Sequence, residues 1–286
     1  MRYEAPATSR DAAAILAKSK ETAFVLGGGT DVLVKMRTGL IEPDLLVDIK
    51  AIPAMKEIKV SDKGFVIGAA VSGAELSEHK LLKKHLPGLV EAANLIGSDQ
   101  IQGRCTLAGN LCNASPAADS VPAMIAVGAK ANIVGVKGRR KLPVEKVVIG
   151  PGKTDLKKGE TIESIAVPRP GPRSGDAYLR FIPRTEMDIA VVGVGISLTL
   201  EKGFIKKARV ALGAVAPTPL LVGSAARAIV GTKLDDAALE KLSKACSEAC
   251  NPIDDKRGTI EYRTRIAGVL ARRTALIAFE RAGGKR

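Results

Sequence analysis

Apolar and polar positions alternate along this chain in short segments, and their spacing divides it into three parts. From residue 1 to about 55 the pattern predicts a helix over Ser9 to Lys18 and a buried strand at the apolar run Ala23 to Leu26. A bare turn at Gly27, Gly28 and Gly29 follows, then a short helix in which Val32, Leu33 and Met36 recur at helical spacing and which Gly39 closes. Thr30 and Asp31 are the residues that can cap that helix. A second strand is expected over Asp44 to Ile49. From 56 to 170 short strand signals at Ile58 to Val60, Phe65 to Ile67 and Ala131 to Gly135 mix with helices at Ser72 to His79 and Leu86 to Ala93. The segment Val167 to Gly175 holds three prolines and two glycines and reads as a linker. Residues 176 to 286 open with long strand signals at Ala190 to Leu200 and Lys207 to Val215. Helical patterns then start at Ala225, Asp236 and Thr259. No repeat of solenoid period is present.

One long stretch fits neither period. Gly97 to Pro122 is built from small and hydrogen-bonding residues, is almost free of charge, and leads into an apolar helix at Ala123 to Val127 with Pro122 in its first turn. Compact domains seldom keep an irregular segment of that length without a use for it. Its low charge in a heavily charged chain argues for burial against something. Small residues let backbone approach a flat ligand, and Thr106, Asn110, Ser115 and Asp119 can supply polar contacts.

Composition narrows the classes. With 286 residues, 46% hydrophobic and 26% charged, the chain is an ordinary globular protein too long for a single small core. No apolar run reaches the length of a membrane span and the first residues lack a signal-peptide core, so a cytoplasmic protein is expected. The net charge of +14 raises nucleic-acid binding, with clusters at Lys137 to Lys141, Lys157–Lys158, Lys206–Lys207 and Arg272–Arg273. Aromatics are only 3% and Trp is absent, which leaves no stacking platform, and no nucleic-acid motif is present. A basic surface facing solvent or acidic partner subunits is the simpler account. Cys105, Cys112, Cys246 and Cys250 include no C-x2-C pair. Cys246 and Cys250, four apart, share a helix face and are expected to be reduced. His79 and His85 lie in a charged stretch without ligand partners, and neither a metal site nor a nucleophilic triad can be assembled.

The chemistry concentrates in the strand, glycine turn and helix start at Phe24 to Met36. Such a unit directs several backbone N–H groups at one point and suits a pyrophosphate. The P-loop pattern fails because Thr30 and Asp31 follow Gly29. The dinucleotide fingerprint matches at Gly27 and Gly29 but meets Val32 at its last position, while Asp48 ends the next apolar run where a ribose-binding acid would stand. A stand-alone NAD-dependent dehydrogenase with a Rossmann-like N-terminal unit is therefore the alternative reading.

Leu26-Gly-Gly-Gly-Thr-Asp31 taken with Thr106-Leu-Ala-Gly-Asn-Leu-Cys-Asn-Ala-Ser-Pro-Ala-Ala-Asp-Ser120 resembles the FAD-binding medium subunits of the molybdenum hydroxylases, the family of xanthine and carbon monoxide dehydrogenases. The resemblance continues through Arg184 to Ala190, Ala208 to Pro219 and Glu261 to Arg273. It implies an α+β protein with a PCMH-type (vanillyl-alcohol-oxidase-like) FAD-binding fold of two subdomains, 1–55 and 56–170, plus a C-terminal α+β domain, 176–286, with a small antiparallel sheet and helices. It implies FAD as cofactor, with Val25, Leu26, Gly27, Gly28, Gly29, Thr30, Asp31 and Val32 around the pyrophosphate. Thr106, Leu107, Ala108, Gly109 and Asn110 would make the second phosphate and ribityl contact, and Asp119 a hydrogen bond farther along. Ile96 and Ile162 would line the cofactor, and Arg180 would lie near the flavin ring, where a positive charge favours the anionic reduced form. Ala108 departs from the Gly-Gly pair usual in relatives, Ile96 replaces an aromatic, and Thr185 stands where some relatives carry a second basic residue. Nothing resembles the cysteine-bearing insertion of the 4-hydroxybenzoyl-CoA reductase branch. The implied role is an electron outlet, passing electrons from [2Fe–2S] clusters of a partner through FAD to NAD⁺, oxygen or a quinone. The implied partners are a large molybdopterin subunit and a small [2Fe–2S] subunit, in a dimer of heterotrimers, with no nucleic acid and no membrane span.

Overall fold

A computed structural model describes residues 1–185 and 187–285; Glu186 of the Arg184–Ala190 motif lies outside the described residues. Local chemistry sets the first element. The Thr8 hydroxyl accepts the Asp11 N–H at 3.1 Å and starts the helix Ser9–Lys18, which buries Ala12, Ala13 and Leu16. That stripe packs on Lys130–Gly135, on Thr161–Pro168 and on Leu45–Asp48, the middle strand of a three-stranded parallel sheet in the order Arg2–Glu4, Leu45–Asp48, Ala23–Leu26. The middle strand is buried on both faces, which explains why its sequence is a continuous apolar run. Arg2–Glu4 is an unexpected edge strand, three mostly exposed residues that carry no apolar signal.

The second unit is a five-stranded antiparallel sheet ordered Ile58–Ser61, Gly64–Gly68, Thr161–Pro168, Lys130–Gly135, Gly138–Pro143. Helices Gly73–Glu78, Lys80–His85 and Pro87–Asn94 accompany it. Ser72 and Glu75 form a reciprocal capping box at the first of these. His79 caps the second, accepting the Leu82 N–H at 3.2 Å, so this histidine serves structure. Two sequence expectations change here. The segment Val167–Gly175 is not all linker: the central strand runs through Pro168 and the next begins at Ser174. The stretch from Gly97 is not irregular. It holds the short helices Asp99–Gln102 and Leu107–Asn113, and the apolar helix begins at Ser120 and ends at Ala126. Thr106 starts Leu107–Asn113 by accepting the Gly109 N–H at 2.8 Å, and Ala114, at φ 51°, stops it.

The third unit is a four-stranded antiparallel sheet, Ser174–Phe181, Val192–Glu201, Phe204–Gly213 and Leu220–Leu221, with helices Gly223–Ile229, Asp236–Glu248 and Ile260–Arg281. Leu239, Leu242 and Cys246 face Ala267, Ala271, Ala275 and Ala278 in a separate apolar core. Gly268 permits the closest approach of the two long helices, because a Cβ there would stand 2.5 Å from Ser243 Oγ. The Cys250 thiol donates to the Cys246 carbonyl at 3.2 Å, and burial pushes the two thiols up to about 11 and about 12 respectively, so both stay protonated. Among the described residues no helix is long and apolar enough to cross a membrane.

The C-terminal sheet is fastened to the rest through the helix Ser120–Ala126, where a Cβ on Gly195 would fall 2.6 Å from the Pro122 carbonyl oxygen. Gly195→Ala is therefore expected to lower the free energy of unfolding by about 1–3 kcal/mol, read from the urea midpoint, because the helix must retreat. An unchanged midpoint would mean that the two layers are more compliant than this contact implies.

Candidate functional site

The glycine turn leaves the carboxyl end of the strand Ala23–Leu26, the edge of a parallel sheet where ligands collect in α/β units. Gly29 sits at φ +85°, and the chain then enters the helix Val32–Arg37. Gly28 meets the second small-residue stretch directly: a Cβ there would stand 1.8 Å from the Arg104 carbonyl oxygen. Gly27 differs, since a Cβ would meet nothing closer than Thr106 Oγ1 at 3.8 Å. A Cβ there would make only ordinary contacts, and Gly27 borders a space that both segments share.

That space is a cavity of ≈ 370 Å³ whose wall contains Gly27, Gly28, Gly29 and Thr30 from one segment and Thr106, Ala108, Gly109 and Asn110 from the other. Among the described residues, the N–H groups of Gly27 to Asp31 donate to no protein acceptor, and neither does that of Ala108. A concave wall of free backbone donors without side chains is the donor set a diphosphate needs, and it fits that part of FAD.

Of the residues expected at the site, Val25, Asp31, Val32, Ile96 and Ile162 also line the cavity. Leu26 and Leu107 do not; both are buried behind the wall. Asp119 and Arg180 are not on the wall either, and they face each other. Arg180 Nη1 donates to Asp119 Oδ2 at 2.8 Å and to the Leu95 carbonyl at 2.8 Å, one residue from Ile96. The Tyr178 hydroxyl donates to Asp119 Oδ1 at 3.1 Å. Burial pushes the Asp119 carboxyl up to about 6, opposed by the Arg180 charge and by both hydrogen bonds. The guanidinium is thus matched by a carboxylate, so what reaches the cavity is the weaker field of an ion pair.

Asp31 occupies the N-cap position of its helix without capping it. Its Oδ1 instead accepts the Asn113 amide at 2.9 Å, and Lys35 Nζ donates to Asn113 Oδ1 at 2.5 Å. This relay ties the helix after the first segment to the helix after the second. Lys35 and Asn113 both line the cavity and were not singled out from sequence. Asn113 lies seven residues, two helical turns, after Thr106, which is the signal that could have found it. The opposite wall comes from Gly152, Thr154, Leu156, Glu160 and Thr161, which no motif marks. Arg140 fixes that wall with a fork to Glu160, at 2.8 and 2.7 Å, and holds the Glu160 carboxyl below its usual range.

The dinucleotide alternative loses its acid. Asp48 lies off the cavity wall and is engaged by the Tyr3 hydroxyl and by Lys50 Nζ, the latter at 2.7 Å.

Comparison with known proteins gives a consistent result. Residues 1–170 match the family model described as the FAD binding domain in molybdopterin dehydrogenase. Residues 177–278 match the CO dehydrogenase flavoprotein C-terminal domain. A putative xanthine dehydrogenase FAD-binding subunit of Escherichia coli strain K12 is 30% identical over 99% of this chain and 97% of its own length. The carbon monoxide dehydrogenase medium chain of Afipia carboxidovorans is 34% identical, covering 98% and 97%. A solved carbon monoxide dehydrogenase from Oligotropha carboxidovorans superposes with a TM-score of 0.94 at 33% identity, over 98% of both chains.

Proposed function

Because this chain belongs to the family of FAD-binding subunits of the molybdopterin dehydrogenases, we propose that it is the electron outlet of a heteromeric molybdenum hydroxylase. In this reading it takes electrons from the [2Fe–2S] clusters of a small partner subunit and delivers them to NAD⁺, oxygen or a quinone. Substrate hydroxylation belongs to a large molybdopterin subunit, and the assembly is a cytoplasmic dimer of heterotrimers. The family binds FAD, and the flavin when bound supplies the chemistry, taking up electrons singly and releasing them in pairs. The observation that carries the reading is the meeting of the two side-chain-poor segments on one cavity.

The residues of this chain then have definable tasks. The free N–H groups of Gly27 to Asp31, with that of Ala108, would take the diphosphate charge without a reorganisation cost, since they are already held in place. Val25, Ile96 and Ile162 offer apolar wall to the flat parts of the cofactor. Asp31, Asn113 and Lys35 keep the two segments at a fixed separation. Arg180 holds the Leu95 carbonyl and thereby the backbone that carries Ile96.

The expected purified protein is yellow, with flavin absorption bands corresponding to one FAD per chain, and it co-purifies with a large and a small subunit when these are expressed together. Reduction of the bound flavin by the assembled complex, and not by the isolated chain with substrate, tests the outlet role. A colourless chain that takes up no FAD even beside its partners would overturn it.

A further inference from the structure

We propose that Asp176 is a positioning residue of the flavin cavity, acting through the helix Pro87–Asn94, whose far end leads into Ile96. The inference rests on the FAD reading of that cavity. The helix begins without a cap of its own, since Leu86 stands at the N-cap position and offers no side-chain acceptor. Leu89 is fully buried, so water cannot serve its N–H. The acceptor arrives from the C-terminal sheet: the Leu89 N–H donates to Asp176 Oδ2 at 2.9 Å, and Asp176 is 4% exposed. Gly88 makes this approach possible, because a Cβ there would stand 2.6 Å from Ala177 Cα.

The same strand, Ser174–Phe181, holds the other end of the helix, where Arg180 donates to the Leu95 carbonyl at 2.8 Å. One strand therefore grips one helix at both ends, four residues apart on the strand. The next residue after Leu95 is the cavity residue Ile96. A third element closes the grip from outside. Arg281, at the end of the C-terminal helix, donates from Nη1 to the Asp176 carbonyl at 2.9 Å and to Glu91 Oε2 at 2.9 Å. The C-terminal unit thus sets where Ile96 stands in the cavity.

The carboxylate is poised rather than simply charged. Burial pushes it up to about 6; the Leu89 and Gly88 N–H groups and the Arg281 charge oppose that, and Glu91 adds to it. Its Oδ1 has no hydrogen-bond partner among the described residues, so a proton or an amide NH₂ can stand there while Oδ2 keeps its bond to Leu89. Asp176→Asn should therefore preserve the grip, and Asp176→Leu should release it.

The test is FAD affinity of the whole chain by fluorescence titration, with the visible circular dichroism of the bound flavin as the readout of ring surroundings. Asp176→Leu is expected to bind FAD about 10-fold more weakly and to alter the flavin dichroism, whereas Asp176→Asn stays within about 3-fold with the unaltered band. Leu239→Ala, in the separate C-terminal core, serves as the control for stability alone and is expected to keep affinity and band while its unfolding midpoint falls. If Asp176→Leu does not accumulate as folded protein, Asp176→Ser, too short to reach Leu89, is read in its place with the same expected outcome. Unchanged affinity and dichroism in the Leu or Ser variant, or an equal loss in the control, would overturn the positioning role. Failure of the unaltered chain to bind FAD would overturn the reading of the cavity instead.

Discussion

Gly28→Val is expected to give a nearly flavin-free protein that still folds. The reason is a contact between backbones, not a blocked cavity. A Cβ on Gly28 would lie 1.8 Å from the Arg104 carbonyl oxygen, 2.7 Å from its carbonyl carbon and 3.1 Å from Cys105 Cα. No rotamer relieves a clash with main chain, so the segment from Arg104 onward must retreat by more than an ångström. Thr106 to Asn110 follow directly, and the free N–H group of Ala108 leaves the position where a diphosphate would need it. A loss of FAD affinity of at least ~100-fold, about 2.7 kcal/mol, is the expected size. The strain on the fold itself is smaller, ~1–3 kcal/mol, because the C-terminal core lies elsewhere and can keep its packing. Gly27→Ala provides the contrast. Its Cβ meets only ordinary contacts at 3.8 Å and beyond, so the loops keep their separation and only cavity space is taken. Its affinity is expected to fall far less. Flavin content after gel filtration, measured beside near-ultraviolet circular dichroism, separates the two variants. Full flavin content in Gly28→Val would show that the second segment does not serve the cofactor.

What could be read from sequence was what local chemistry decides. The strand Ala23–Leu26, the glycine turn and the helix from Val32 follow from a continuous apolar run, an unobstructed turn and 3.6-residue spacing, and the structure has all three. The strand Thr161–Pro168 was not read, although it is the centre of the five-stranded sheet. Its sequence is interrupted by Glu163 and Ser164, whose partners come from far along the chain: Ser9 and Arg139 for the first, Asn132 for the second. No local window holds the reason that Ser164 can be buried and Glu163 half-buried there. The helix Leu107–Asn113 is illegible for another cause: its apolar stripe is one i,i+4 pair, Leu107 and Leu111, too short to set a period, and the Thr106 cap alone signals its start. The structure adds most at Asp119 and Arg180. Each was placed against the cofactor singly, whereas the fold joins them across 61 positions of sequence. A pairing of that kind leaves no trace in either neighbourhood.

That pair supplies the other large effect. Arg180→Met is expected to destabilise the chain by ~3–5 kcal/mol at neutral pH, because Asp119 would remain buried beside Tyr178 with its countercharge gone. The effect has a defined pH dependence. Burial has already raised the Asp119 carboxyl to about 6 in the folded protein, above its ordinary value of 3.8. A group raised in this way leaves the folded state holding the extra proton between the two values, so its contribution to stability declines as pH rises through that window. Removing Arg180 raises the carboxyl further and extends the decline upward. Urea unfolding should therefore show a small penalty for Arg180→Met at about pH 5, where Asp119 can stay protonated, and the full penalty at about pH 8. Adding Asp119→Asn to Arg180→Met removes the buried charge and should restore most of the loss at about pH 8, while the single Asp119→Asn leaves a buried guanidinium partly unmatched. Both variants that lack Arg180 also lose the bond to the Leu95 carbonyl, so neither is expected to recover full FAD affinity even where stability returns. A penalty for Arg180→Met that is equal at the two pH values would show that the guanidinium acts through packing and not by holding the Asp119 charge.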